Sequence, residues 1–301
     1  MQNSEEPTVL IIVAVDGTRS SVAALQSAKN YAETHNARLR AISVWSNVNT
    51  YSPFMLEWSP GEDARFQLEE SSREVFGDHL PAWYDQVVIE GSAAKVLIEA
   101  SKTAELLVVG SRGHGGFAGL FLGSVSAQCA AHAHSPVMIV REHNDLTAVS
   151  ADAPIVVGHD GSANGDDALE WALNYAEKLG APVEVVRTWS IDRIPPQFNE
   201  EFGYVPSFDE VTARVRRDLI TETAHRVGEH TGTTVTLVAA MSQPAEELIK
   251  RSENARLLVV GSRGRGGFAG LMLGSVSSEC ASHAHCPVAV VPKSAAAHPD
   301  L

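Results

Sequence analysis

The chain has 301 residues, 44% hydrophobic and 20% charged, with a formal net charge of −14; that is room for about two ordinary globular domains. So acidic a balance argues against a nucleic-acid partner or an anionic membrane surface, since both need clustered Lys and Arg to meet phosphate. Cys129, Cys280 and Cys286 are an odd set with no CxxC pair, which speaks against a disulfide framework or a thiolate zinc site.

The N-terminus, MQNSEEPTVLIIVAVDG, is acidic, and its apolar run stops at Asp16. It lacks the basic flank and cleavage site of a secretion signal, and no apolar run reaches the roughly 20 residues of a membrane span. The expectation is a soluble, cytoplasmic protein. Residues 8–15 are continuously apolar and read as a buried strand; 19–35 place Val22, Leu25, Ala28, Tyr31 and Ala32 at helical spacing. Then follow a strand at 38–45, an irregular stretch, a helix at about 62–79, a strand at 84–90, a helix at 92–103 and a strand at 105–109. A glycine-rich loop leads into a helix at about 124–134 and a last strand at 137–141, opened by Pro136. Strands that alternate with helices and are apolar throughout predict a parallel sheet covered on both faces.

The pattern occurs twice. "GSRGHGGFAGLFLGS" at 110–124 returns as "GSRGRGGFAGLMLGS" at 261–275, differing only at His114/Arg265 and Phe121/Met272. Asp16 and Asp160 lie 144 apart, as do Trp45 and Trp189, whereas Ile98 and Ile249 lie 151 apart, as do Gly110 and Gly261. Seven residues are therefore added to the second copy, somewhere in 191–235. Its strands are expected near 155–159, 183–189, 233–239, 256–260 and 288–291. The polar connector EHNDLTAVSADA at 142–153 sets the expected domains at 1–145 and 152–294.

Each glycine loop leaves the carboxyl end of a strand and enters a helix, the edge where open α/β sheets hold ligands. Glycines let the backbone approach a ligand closely. Ser124 and Ser275 stand at the expected helix starts, where a hydroxyl can cap and the exposed N–H groups favour an anion. Three residues beyond them stand Ala127 and Ser278, so no carboxylate competes for those N–H groups. Residues 111–127 and 262–278 contain no Asp or Glu, although 37 acids in 301 residues would put about two in each window at random. Arg112, His114, Arg263 and Arg265 stand there instead. No GK[ST] follows, so the loop is not a Walker A motif, and its place after the fourth strand is wrong for a dinucleotide fingerprint. A tight turn with glycines for geometry alone is the alternative.

The spacing G-x2-G-x9-G-S, met by Gly110, Gly113, Gly123 and Ser124 and again by Gly261, Gly264, Gly274 and Ser275, resembles the ATP-binding signature of the universal stress protein family. "VAVDGT" and "VVGHDGS" at the copy starts and "HAHSPVMIV" and "HAHCPVAVV" at the ends extend the resemblance over nearly the whole chain. It implies a tandem universal stress protein of the nucleotide-binding subgroup: two Rossmann-like domains, each an open five-stranded parallel sheet ordered 3-2-1-4-5. By the resemblance, Asp16 and Asp160 approach the ribose or the metal side of the nucleotide, and Ala14 and Gly158 line the adenosine. Gly110 and Gly261 sit near the ribose. The loop N–H groups of Arg112, Gly113, His114, Gly115 and Gly116, and of Arg263, Gly264, Arg265, Gly266 and Gly267, cradle phosphates, and Ser111 and Ser262 belong to the same nucleotide sites. Ser124, Val125, Ser275, Val276 and Ser277 hold phosphates at the helix starts, and Val44 and Thr188 lie where the family contacts adenine. The family commonly has Gly where this chain has Ala14.

Other readings stay open at several positions. Asp16 and Asp160 also read as turn or N-cap aspartates, and Arg112 and Arg263 as solvated charges. The pairs His132/His134 and His283/His285 read as helix C-terminal dipole partners rather than metal ligands. Cys129 and Cys280 read as small core residues, and Trp45 and Trp189 as packing beside the site. The expected role is an ATP-binding regulator or sensor of the stress response, with one ATP per domain, Mg²⁺ offsetting the triphosphate, and an unidentified protein partner. A slow ATPase and an assembly module with structural ATP are the alternatives; no catalytic dyad is visible. The two copies are expected to pack about a pseudo-twofold with their last strands paired, and chains to form homodimers.

Overall fold

The computed structural model describes residues 9–46, 59–113, 122–144, 150, 152–190, 207–265 and 273–293. The chain divides into two compact units, Met1–Leu146 and Thr147–Leu301. Unit 1 runs β1 (Leu10–Ala14), α1 (Arg19–His35), β2 (Arg38–Trp45), α2 (Pro60–Phe76), β3 (Tyr84–Glu90), α3 (Ala93–Ala100) with a 3-10 turn at Ser101–Thr103, β4 (Leu106–Gly110), α4 (Ser124–His132) and β5 (Val137–Val140). Unit 2 runs β6 (Ile155–Gly158), α5 (Ala163–Leu179), β7 (Val183–Trp189), α6 (Phe208–Glu229), β8 (Val235–Met241), α7 (Pro244–Ser252), β9 (Leu257–Gly261), α8 (Ser275–His283) and β10 (Val288–Val291).

Unit 1 orders its strands β3-β2-β1-β4-β5, and unit 2 orders its own β8-β7-β6-β9-β10. All of these pairings are parallel. The unbroken apolar runs follow from burial on both faces: Ile11, Ile12 and Val13 of β1 and Leu106 to Val109 of β4 are all buried, as are Ile155 to Val157 and Leu257 to Val260. Helix α1 lays Ala24, Leu25, Ala28, Tyr31 and Ala32 on the sheet, and α5 repeats the set as Ala168, Leu169, Ala172, Tyr175 and Ala176. Thr18 and Ser162 cap these helices through their hydroxyls. At their ends Asn36 (φ 49°) and Gly180 (φ 64°) adopt the left-handed conformation that stops a helix. Among the described residues no helix is long and apolar enough to cross a membrane.

Several boundaries differ from the sequence expectation, each for a local reason. Helix α2 stops at Phe76 rather than near 79 because Gly77 turns at φ 75°, its N–H closing on the Arg73 carbonyl at 2.9 Å. The end of the expected 92–103 helix tightens into the 3-10 turn. Strand β8 begins at Val235, two residues late, because Thr233 is held in a turn by its bond to the His230 carbonyl (3.1 Å). Helix α4 ends at His132, with Ala133 extended. Helix α6 has 22 residues against 17 in α2, so the net gain of the second copy includes a helix longer by five residues.

Candidate functional site

In unit 1, β1 pairs with β2 on one side and β4 on the other, so the chains leaving β1 and β4 diverge and open a crevice at their carboxyl ends. Asp16 follows β1 into this crevice and the first glycine loop follows β4. Asp16 Oδ1 accepts the Thr18 N–H at 3.1 Å and its hydroxyl at 2.6 Å. The Ser20 hydroxyl, in the first turn of α1, donates to the Arg112 carbonyl at 2.6 Å. Gly123 closes the neck of the loop, its N–H donating to the Ser111 carbonyl at 2.8 Å. The Ser126 hydroxyl donates to the Gly110 carbonyl at 2.6 Å and ties α4 to the end of β4. Two glycines stand in close approach: a Cβ on Gly113 would stand 2.7 Å from the movable Asp16 Oδ2, and one on Gly110 would stand 2.9 Å from the backbone of Ser20 and Ser21.

Unit 2 builds the same frame with partly different side chains. Asp160 Oδ1 accepts the Ser162 N–H at 3.0 Å and its hydroxyl at 2.6 Å, and Oδ2 accepts the Arg265 N–H at 2.8 Å. Asn164 takes the place of Ser20: its Oδ1 accepts the Arg263 N–H at 2.9 Å and the Ser262 hydroxyl at 3.2 Å, while Nδ2 donates to the Val291 carbonyl at 3.1 Å. Gly274 N–H closes on the Ser262 carbonyl at 2.9 Å, and the Ser277 hydroxyl donates to Gly261 at 2.6 Å. A Cβ on Gly264 would lie 2.5 Å from Asp160 Oδ2. Burial raises the Asp160 pKa, but the bonds from Ser162 and Arg265 outweigh it and hold the carboxyl below its ordinary range.

The turn reading of Asp16 and Asp160 is thus visible in their hydrogen bonds: each carboxylate orders the start of the following helix, and Asp160 also pins its loop. The helix starts correct one expectation. Ser124 and Ser275 do not cap; Gly123 and Gly274 are the N-cap residues, with no side-chain cap. The chain must come within hydrogen-bonding reach of Ser111 and Ser262 at these positions, and a Cβ there would already stand 3.3 Å from those carbonyls. The third helical residues are therefore Ser126 and Ser277, whose buried hydroxyls are committed to the preceding strands. No carboxylate stands at these positions, and the N–H groups of Ser124, Val125, Ser275 and Val276 meet no acceptor among the described residues.

Arg112, Gly113, Arg263, Gly264 and Arg265 are exposed, and Ser111 and Ser262 are buried at the loop necks. His114, Gly115, Gly116, Gly266 and Gly267 lie outside the described residues. Ala14 and Gly158 end β1 and β6, and Val44 and Thr188 stand near the ends of β2 and β7, all partly buried. A Cβ on Gly158 would strike Leu248 Cδ1 at 2.7 Å, so this glycine admits α7. Cys129 and Cys280 are fully buried, and desolvation pushes both thiols up to about 12. His132 and His283 end their helices; His134 and His285 lie beyond them, their N–H groups bonded to Ser101 and Ser252. No group of three or more His, Cys, Asp or Glu that could hold a metal exists among the described residues. Trp189 is buried with Val211 and Val215, and its indole donates to Thr212 at 3.0 Å.

Sequence reasoning missed Ser20, Asn164 and Ser126; their signal is a polar residue on the buried side of a first helical turn. It also missed Arg187, whose signal is a lone cation inside the apolar strand VEVVRTW. Arg187 Nη2 donates to His159 Nδ1 at 2.7 Å and to Glu222 at 2.5 Å, and His159 Nε2 meets Asp166 at 2.9 Å. Because a guanidinium can only donate, Nδ1 must accept, so the ring is neutral with its proton on Nε2, donated to Asp166. Burial, opposed by Asp166 and reinforced by Arg187, lowers the His159 pKa in agreement with that tautomer.

Fold and site together define a class: a tandem doubly wound α/β protein with a glycine loop and an open helix N-terminus at the switch point of each unit. The profile of the universal stress protein family matches residues 10–141 and 153–292. The chain belongs to that family. It is 31% identical over 296 residues to a universal stress protein of Mycolicibacterium smegmatis, covering 93% of this chain and 96% of the relative. It is 30% identical over 295 residues to one of Mycobacterium tuberculosis, covering 94% and 96%. A solved universal stress protein from Archaeoglobus fulgidus superposes with a TM-score of 0.62 at 21% identity, over 95% of this chain and 99% of that one. At that identity the likeness concerns the fold.

Proposed function

We propose that each unit binds one adenosine nucleotide, ATP, and that the protein is a nucleotide-dependent regulator in the stress response. The observation that carries this reading is the duplicated junction: a glycine loop closed at its neck by one backbone hydrogen bond, next to helix N–H groups that meet no acceptor among the described residues. Those N–H groups favour the negative charge of a phosphate chain. Gly113, Gly264 and the loop N–H groups beyond them face that chain, those of Ser111 and Ser262 being spent on the Val140 and Val291 carbonyls and that of Arg263 on Asn164; Ala14, Asp16, Val44, Gly110 and their counterparts Gly158, Asp160, Thr188 and Gly261 face the nucleoside. The lack of acids in either loop window supports the same assignment.

Mg²⁺ enters with the triphosphate, which suits a crevice that offers Asp16 or Asp160, since this ion usually keeps several waters and takes only one or two carboxylates besides phosphates. It supplies charge neutralisation when bound. The chain's own groups position the phosphates; among the described residues none is placed as a base for hydrolysis, so the regulator is preferred to an ATPase. A homodimer in the cytoplasm, with a surface read by a protein partner, completes the proposal. The test is mass spectrometry of nucleotide extracted from native protein, followed by calorimetry with Mg·ATP on the stripped chain. Saturable heat is expected; its absence at millimolar Mg·ATP in a folded sample overturns the reading.

A further inference from the structure

Unit 2 carries a run of polar and charged side chains that unit 1 lacks. His159, Arg187 and Asp166 stand where Val15, Ser43 and Val22 stand 144 residues earlier. His159 and Arg187 are buried, and Arg226 adds a second cation 3.5 Å from Asp166. The run ends at Glu222 of α6, which accepts from Arg187, and Glu222 Oε2 reaches to 2.8 Å from where a Cβ on Gly161 would be. The guanidinium of Arg265, from the second glycine loop, fills the same place and donates to the Gly161 carbonyl at 2.7 Å. Arg265 is therefore held twice, by its N–H on Asp160 and by its side chain on Gly161, with the Glu222 carboxylate beside it. At Gly17, the counterpart of Gly161, the neutral side chain of Gln67 fills this place.

We propose that Arg265 is a latch on the second loop, attracted onto Gly161 by Glu222, and that Arg187 and His159 are the positioning residues that hold Glu222 in place. A phosphate-bearing ligand must draw Arg265 away before it can use the loop N–H that Asp160 occupies. The latch belongs to the ligand-free chain; its ligand rests on the nucleotide reading above. Unit 2 is binding-competent only in the fraction of molecules that are unlatched, and its apparent affinity is reduced by that fraction. Unit 1, with Gln67 in place of the pair, fills first. The acidic side chain that retains Arg265 also makes the second site selective: only a ligand with enough negative charge to compete with Glu222 opens it.

Hydrogen exchange on the full ligand-free chain tests the latch. Glu222→Gln removes the attraction and leaves Arg265 in place; exchange of the Arg265 amide is expected to speed up by about tenfold while Gly113 is unchanged. Arg265→Ala, at an exposed position, guards against a folding defect in the first variant and should free the Asp160 tether equally. Mg·ATP calorimetry is the second arm: two affinity classes about tenfold apart in wild type, the weaker removed by Gly264→Ala and tightened by Glu222→Gln. Unchanged exchange in both variants overturns the latch whatever nucleotide does. Faster exchange with no Mg·ATP heat in either unit supports the latch and overturns the nucleotide reading instead.

Discussion

Asp16 and Asp160 show how much one carboxylate can organise. One oxygen collects the N–H and hydroxyl of the helix-capping residue, and the other faces Gly113 or Gly264. Gly113→Ala or Gly264→Ala would place a methyl within 2.7 Å or 2.5 Å of that oxygen. The contact is with a side-chain oxygen at an exposed loop, which can give way. We expect a stability loss of about 1 kcal/mol or less by urea unfolding, and nucleotide binding lost from the substituted unit in calorimetry. Wild-type affinity in both variants would remove the loop from the site. His230 offers a pH test at the same scale. Burial lowers its pKa, but bonds to Glu177 and Glu170 outweigh this and raise it above the ordinary 6.5. A raised folded pKa means stability fully present below about pH 6.5 and lost as pH rises through the folded value. His159 has the opposite sign: its pKa is lowered, so stability falls as pH drops below 6.5 toward the folded value. Replacing His230 with Gln should abolish the loss on the alkaline side, read as urea midpoints at pH 6 and 8, while leaving the acid loss from His159.

At the scale of elements, the junctions between a first helix and a fourth strand set the crevice. Gly110 and Gly261 allow α1 and α5 to lie against the ends of β4 and β9, and the atoms a Cβ would meet include the backbone of Ser20 and Ser21 in unit 1 and the Asn164 carbonyl oxygen in unit 2. Backbone cannot yield as a side chain can. Gly110→Ala is therefore expected to cost about 2–3 kcal/mol, more than Gly113→Ala, as an overpacking strain measurable by denaturant unfolding. Equal costs would mean that helix and strand separate freely there. Removing the Ser162 cap by Ala should cost about 1 kcal/mol, because both the helix N–H and the Asp160 bond depend on it. The loops' boundaries were readable from glycine spacing, but the cap was not. Spacing pointed to Ser124, while hydrogen bonding to Ser111 draws the chain close at Gly123 and makes that residue the cap.

For the whole molecule, duplication predicts stoichiometry. Two glycine loops, two crevice aspartates and two open helix starts predict two nucleotides per chain, and Gly113→Ala or Gly264→Ala alone should each leave one; calorimetric stoichiometry near one in the wild type would leave one unit without a nucleotide role. A formal charge of −14 further predicts no salt-dependent retention on immobilised DNA near neutral pH. The repeat offset also carried three-dimensional information. The step from 144 to 151 between the second and third strands of each copy placed the added residues, and the longer α6 lies in that interval. That longer helix brings Glu222 to Gly161, where α2 brings Gln67 to Gly17.

Local chemistry determined what the sequence could reveal alone: apolar runs long enough for buried strands, helical spacing, glycine loops free of acids, and their repetition. Each is a property of neighbours along the chain, so it survives without coordinates. The tertiary structure decided which polar groups meet across 90 to 105 residues: Ser20 with Arg112, Asn164 with Arg263, Asp160 with Arg265. It also decided that His159 is neutral, because only the folded chain sets a guanidinium and a carboxylate on its two ring nitrogens. Hydrogen bonds need angstrom positions, and those arise when the sheet brings distant segments to one edge.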